Sequence, residues 1–137
     1  MPDEIRRVDY FYIQVPNRPG EGARALGVLR DAGVNLLAYS GFPEGRGAQL
    51  DFVPEDAAAF RRVAKDAKWK LTGPKKAFLI SGDDRPGAIA GIVQKLADAK
   101  INVTACDAVC AGGGRYGAIL WVVPRDVGRA AKALGVI

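Results

Sequence analysis

Asp83-Asp84-Arg85-Pro86-Gly87 lies between an apolar run, Ala77 to Ile80, and a helical pattern that begins near Ala88. A proline followed by a glycine at that place marks a turn that opens a helix. The same signal stands earlier, at Asn17-Arg18-Pro19-Gly20, and the offset of 67 positions from Gly20 to Gly87 also carries Leu29 onto Leu96, Asp31 onto Asp98, Ala32 onto Ala99 and Asn35 onto Asn102. The chain is a tandem repeat. Its function is expected where two copies of one loop meet.

Each copy follows the same order. In the first, Phe11, Ile13 and Val15 alternate with Tyr10, Tyr12 and Gln14, which predicts a strand with one apolar and one aromatic, polar face. Ala25, Leu26, Leu29, Ala32 and Gly33 then recur at helical spacing up to a glycine stop. Val34 to Phe42 reads as a second strand, Pro43 to Gly47 as a hairpin loop, and Ala48 to Val53 as a third strand. Pro54-Glu55-Asp56 opens a second helix with Phe60, Val63, Ala64 and Ala67 on its buried stripe, and Trp69-Lys70-Leu71 closes the copy as a short strand. After a linker at Thr72-Gly73-Pro74, the second copy repeats the pattern: strand 75–81, helix 86–100, strand 101–110, a longer loop 111–115, strand 117–123, helix 124–134 and a truncated strand at 135–137. The expected fold is α+β, two ferredoxin-like βαββαβ repeats spanning residues 1–73 and 74–137. Each is an antiparallel sheet in the order 4-1-3-2 with its helices on one face.

Composition narrows the function. The 137 residues are 49% hydrophobic and 26% charged, so the chain can bury a core. Units of this size are marginal alone, and the halves are expected to pack together. The N-terminus lacks the pattern of a signal peptide and no run is long enough to span a membrane, which makes a cytoplasmic location the default expectation. Histidine is absent, removing the commonest general base and nitrogen ligand. No metal, cofactor or catalytic residue is expected. Cys106 and Cys110 on one extended strand would stand roughly 13 Å apart, too far for a bridge, and read as ordinary thiols. The net charge of +5 is spread out and reads as a solvated surface.

The repeated corner suits a small anion. First-turn amides point outward there, a glycine admits close approach to the backbone, and the helix dipole favours negative charge. Asn17 and Asp84 add oxygens fit to accept from an ammonium, while Asn35 and Asn102, expected at the start of the second strands, can donate to a carboxylate and accept from an amine. Those groups describe a pocket for a free amino acid. The plainer alternative is that proline and glycine only make the turn and the asparagines cap the strand.

Asn17-Arg18-Pro19-Gly20 with Gly33-Val34-Asn35-Leu36, and Asp84-Arg85-Pro86-Gly87 with Lys100-Ile101-Asn102-Val103, resemble the signature of ACT domains, the amino-acid-binding regulatory modules of biosynthetic enzymes. The resemblance covers residues 8 to 71 and 77 to 137. It implies side-by-side pairing of two units through their second strands, within the chain or between two chains, with ligand sites at the junction. It further implies that Asn17, Arg18, Pro19 and Gly20 share a site with Asn102 and Val103, and Asp83, Asp84, Arg85, Pro86 and Gly87 with Asn35 and Leu36. A homodimer or higher oligomer and a regulated enzyme or other protein partner follow from the same resemblance. Two departures stand out: the second corner is acidic, with Asp83 and Asp84, where the first has Pro16 and Asn17, and the final strand is cut short at Ile137; the catalytic or DNA-binding domain that usually accompanies such modules is not in this sequence.

Two other classes deserve comparison. An RNA-recognition domain has the same element order and stacks bases on sheet aromatics, here Tyr10, Tyr12, Tyr39 and Trp121, but Leu37, Leu79, Cys106 and Ile119 would make that face too apolar. An enzyme would have to use Asp51, Asp83, Asp84 or Asp107 without a partner at telling spacing. Neither matches the repeat as well as effector binding does.

Overall fold

A computed structural model describes residues 3–136 of the chain. The elements run β1 (Glu4–Pro16), α1 (Glu21–Asp31), β2 (Leu36–Glu44), β3 (Gly47–Pro54), α2 (Ala57–Asp66), β4 (Thr72–Asp83), α3 (Ala88–Asp98), β5 (Ala105–Gly112), β6 (Arg115–Trp121) and α4 (Val127–Leu134), with a 3-10 turn at Pro124–Asp126 before α4. The fold is α+β, with two ferredoxin-like repeats whose antiparallel strands carry helices on one face.

The chain divides into two compact units. The first is Asp9–Lys75, and the second takes the chain up to Val8 and from Lys76 onward. In the first unit the strands lie in the order β2-β3-β1, with Phe11 opposite Phe52 and Phe52 opposite Tyr39. Alternation along β1 sends Phe11 and Ile13 to the helix side, where Ala25 and Leu29 of α1 and Phe60 of α2 meet them. The rings interlock: Phe60 lies 5.1 Å from Phe11 and 5.4 Å from Phe52, and Trp69 stacks on Phe52 at 5.8 Å. Asp56 caps α2, its carboxylate accepting from the Ala59 N–H at 3.1 Å, where the sequence placed a helix start.

The second unit repeats this plan. Its strands run β4-β6-β5, Phe78 faces Leu120 and Ile80 faces Ala118, and Ile92, Leu96 and Leu134 complete the core from α3 and α4.

Several sequence expectations need correction. Trp69-Lys70-Leu71 is irregular, and the fourth strand position of the first unit is taken by the start of β4, next to β1. A Cβ at Gly73 would stand 2.8 Å from the Tyr10 carbonyl oxygen, so the expected linker is packed strand. In the second unit Gly135 and Val136 form no strand, and Ile137 lies outside the described residues. The segment up to Val8 joins that unit instead: Ile5 packs on its core and a Cβ at Gly82 would collide with the Asp3 carboxylate. The units therefore divide at other points than residues 73 and 74. Both hairpins turn in two residues, Gly45-Arg46 and Gly113-Gly114, because the strands run further than their apolar residues do and a register shift between Cys110 and Gly112 absorbs extra length.

Phe52 is fully buried and joins both helices to the sheet of its unit. Phe52→Ala is expected to lower unfolding free energy by about 3–5 kcal/mol, read by urea denaturation followed by far-UV circular dichroism.

Candidate functional site

The two corners adopt the same backbone. Gly20 precedes α1 at φ 94° and Gly87 precedes α3 at φ 74°, left-handed conformations that glycine reaches without penalty. Neither residue has a side chain with which to cap its helix.

Their surroundings differ. At the first corner Glu21 is buried in the opening turn of α1 and holds Arg18 at 2.6 Å and Arg24 at 3.3 Å, while Asn17 is exposed. Two guanidinium groups against one carboxylate leave this corner positive. At the second, Arg85 donates to both oxygens of Asp3 at 3.1 and 3.0 Å and to the Asp83 carbonyl at 2.8 Å, and Arg115 reaches Asp83 at 3.0 Å. Asp84 N–H donates to the Gly114 carbonyl at 2.8 Å, tying the corner to the β5–β6 turn. Arg85 holds the Asp3 carboxyl below its usual range, Arg115 does the same for Asp83, and burial pushes the nearby Tyr116 hydroxyl up to about 12. Three carboxylates and two guanidinium groups meet at this corner. Its amides are also partly used: Ala88 N–H donates to Arg85 and Ala90 N–H to Gly87.

Asn35 and Asn102 stand just before β2 and β5, not inside them, and both are exposed. The Asn35 amide donates to Glu55 at 3.1 Å, and the Glu55 N–H returns a bond to the Asn35 carbonyl at 3.0 Å. Leu36 and Val103 are half-buried against the cores of their own units. Within each unit the corner and the asparagine lie at opposite ends of an eleven-residue helix, about 16 Å long at 1.5 Å per residue. No single unit can close its own corner with its own asparagine.

Two pockets flank α1 in the first unit. One, of about 390 Å³, lies at the helix C-terminus against Leu26, Leu29, Val34, Asn35 and Leu36. The other, of about 360 Å³, lies towards the helix start, where Glu21 and Arg24 face Lys68, Trp69 and Lys70. Asn35 and Leu36, expected in a site shared with another copy, line the first pocket, and the second was not expected, because Trp69 and Lys70 read as part of a short strand, Trp69-Lys70-Leu71.

The aromatic platform needed for base stacking is not assembled. Tyr39 pairs with Phe52 and its ring lies 5.6 Å from it, placing it on the helix side, and Cys106, opposite Leu120, packs on the core instead of the outer face. Trp121 is buried. Cys106 is half-buried and Cys110 exposed, both free, with burial raising the first thiol and Asp84 the second. Asp51 sits on the outer face of the first unit between Gln49, which donates to it at 2.8 Å, and the Tyr12 position across the ladder. Lys75 lies over the Tyr12 ring at 5.6 Å, and burial with the Asp51 charge pushes Tyr10 up to about 12. Among the described residues no group of three or more His, Cys, Asp or Glu side chains could hold a metal, and no helix is long and apolar enough to cross a membrane.

No family model matches the sequence, and no curated protein does. Solved structures do match in shape. A protein from Bacteroides thetaiotaomicron superposes with a TM-score of 0.76 at 16% identity, covering 97% of this chain and 88% of the other. The ligand-free regulatory subunit of aspartate kinase from Thermus thermophilus gives 0.61 at 17% identity over 98% and 95% of the two chains. An aspartokinase of alpha and beta subunits gives 0.65 at 16% identity over 98% and 95%. This chain shares their fold, an ACT-like architecture.

Burial raises the Asp51 carboxyl above its ordinary value, outweighing the Gln49 bond and the Lys75 charge that lower it. The folded chain holds this proton more tightly than the unfolded chain, so the stability it contributes is full below the unfolded pKa and lost as pH rises through the folded one. Asp51→Asn keeps the shape and removes the charge. It is expected to raise the Tm at pH 7, with the gain over wild type vanishing below about pH 4, as calorimetry of both proteins across that range would register.

Proposed function

We propose that the chain is a non-catalytic regulatory protein that binds an amino acid or a similar small effector between ACT-type repeats and passes the occupancy to a protein partner. The observation that carries this reading is the separation of corner and asparagine by a full helix in both units. A ligand held by both must be shared between two copies, so its binding depends on how copies are arranged. That dependence is what an effector site needs, since a ligand shifts an equilibrium only by its differential affinity for two states.

In this reading the corner's amides take the carboxylate, and the asparagine of another copy takes the ammonium. Asn17, Arg18, Pro19 and Gly20 pair with Asn102 and Val103, and Asp83, Asp84, Arg85, Pro86 and Gly87 with Asn35 and Leu36. The pairing joins repeats of one chain or of two, and a homodimer or higher oligomer follows in the second case. The pocket beside Asn35 supports it: its volume lies within the usual range for small ligands, and its apolar wall suits an effector side chain. Asn35 would exchange its bond to Glu55 for one to the ligand. The carboxylates gathered at the second corner support unequal sites, the first corner with its two guanidinium groups being better suited to a carboxylate. The shared fold with regulatory subunits of aspartate kinase fits a regulatory role, in a cytoplasmic setting, with an enzyme as the natural partner. Nucleic acid is disfavoured by the scattered aromatics, and thiol catalysis at the second corner by Asp84, which pushes the neighbouring Cys110 thiol up, away from the reactive thiolate.

A thermal-shift screen of the twenty amino acids tests this. Ligands that bind only the folded state raise the Tm, and at a hundredfold excess over Kd the gain is about 2.7 kcal/mol. At least one amino acid is expected to stabilise the wild type, and Asn35→Ala, Asn102→Ala or Gly20→Val to remove the gain at the site each serves. Hits that survive all three changes would place binding elsewhere.

A further inference from the structure

The pocket between the start of α1 and the segment after α2 shares Glu21 and Arg24 with the first corner and is completed by Lys68, Trp69 and Lys70, which the proposed effector site does not use. It lies within one unit, it contains none of the asparagines, and its charge is unbalanced. Glu21 is its one acidic wall residue, only 6% exposed, and Arg18, which lies outside the pocket lining, already neutralises that carboxylate at 2.6 Å. Arg24, Lys68 and Lys70 line the same space, so the wall carries one negative charge against three positive. Gln14 adds an uncharged polar group, and the other lining residues are apolar, with Val15 and Val28 beside Trp69, whose ring is fixed by stacking on Phe52.

Lys68 stands in the turn that ends α2. It follows α2 at φ 60°, the left-handed conformation in which α1 ends with Gly33 at φ 74°. Glycine is the low-cost residue for such a helix end, and a lysine there carries a backbone penalty of order 1 kcal/mol. Lys100 takes the same conformation after α3 at φ 62°, so a lysine stands at such a helix end in both units, and in the first it lines the cleft.

We propose that this cleft is a second binding site, for a small organic dianion: a short carbon body with two negative charges, as in a dicarboxylate or a phosphate monoester. Arg24 presents a planar fork to one anionic group, Lys68 and Lys70 act as point charges for the other, and the apolar wall with Trp69 covers the carbon chain between them. Glu21 positions Arg24 through the 3.3 Å contact and excludes ligands with a third negative charge near the helix start. A volume of about 360 Å³ accommodates such molecules.

The full-length chain, labelled with ¹⁵N, would be titrated at low salt with succinate, with glycerol 3-phosphate and with uncharged succinamide, following the Trp69 indole and the Lys68 and Lys70 amides. A saturable shift with succinate alone assigns a dicarboxylate, with glycerol 3-phosphate alone a phosphate monoester, and succinamide is expected to give none. Lys70→Gln should weaken binding by about tenfold or more. Lys68→Gly should do the same while leaving the Tm equal or higher, an outcome that a purely structural lysine would not give. Asn35→Ala and Asn102→Ala should leave these titrations unchanged, so the two sites stand or fall separately. The proposal is overturned if neither dianion shifts Trp69, if succinamide does so equally, or if both lysine variants bind like the wild type.

Discussion

The structure depends on one backbone constraint met twice, a left-handed residue between a strand and the helix that follows. Gly20 and Gly87 take φ values of 94° and 74°, which turn the chain back over its own strand as the helix begins. That turn brings the apolar stripe of α1, Ala25 and Leu29, onto Phe11 and Ile13, and the stripe of α3, Ile92 and Leu96, onto Phe78 and Ile80. The same turn leaves a helix start without a capping side chain at the capping position. A requirement of folding thus generates a polar, anion-favouring end at the surface of each unit.

Each end then takes its electrostatic character from groups brought from elsewhere in the unit. Glu21 gathers Arg18 and Arg24 at the first corner, and Asp3, Asp83 and Asp84 meet Arg85 and Arg115 at the second. Helix length does the rest. Eleven residues of helix hold each corner away from its own asparagine, so any site combining the two is made by copies and is sensitive to their arrangement.

The fold was legible because the repeat offset and the helix stripes are long, periodic signals. The errors fall where the signal is short or its phase slips. In β2 the alternation read from Val34 and Leu36 puts Tyr39 on the outer face, but a register shift between Leu36 and Ala38 reverses the phase and sends Tyr39 to the helix side. In the second repeat, residues 101–104 are irregular, so alternation counted from Ile101 misplaces Cys106. Trp69 to Leu71 and the chain end read as fourth strands because two apolar or β-prone residues in three suit a strand as well as a packed loop. The residues that take that place, Thr72–Lys75 and the segment up to Val8, contain a glycine-proline linker signal or lead into the first repeat, and carry no mark of their role.

The sequence by itself determined the two βαββαβ repeats, the glycine corners and the identity of the core stripes, because these rest on backbone conformation and periodicity, which are local. Only the tertiary structure decided which segment completes each sheet, which face receives Tyr39 and Cys106, that Glu55 engages Asn35, and that Lys68 and Lys70 face Glu21 and Arg24 across a cleft. Those outcomes join residues tens of positions apart through strand register and helix packing, and no local pattern encodes that distance.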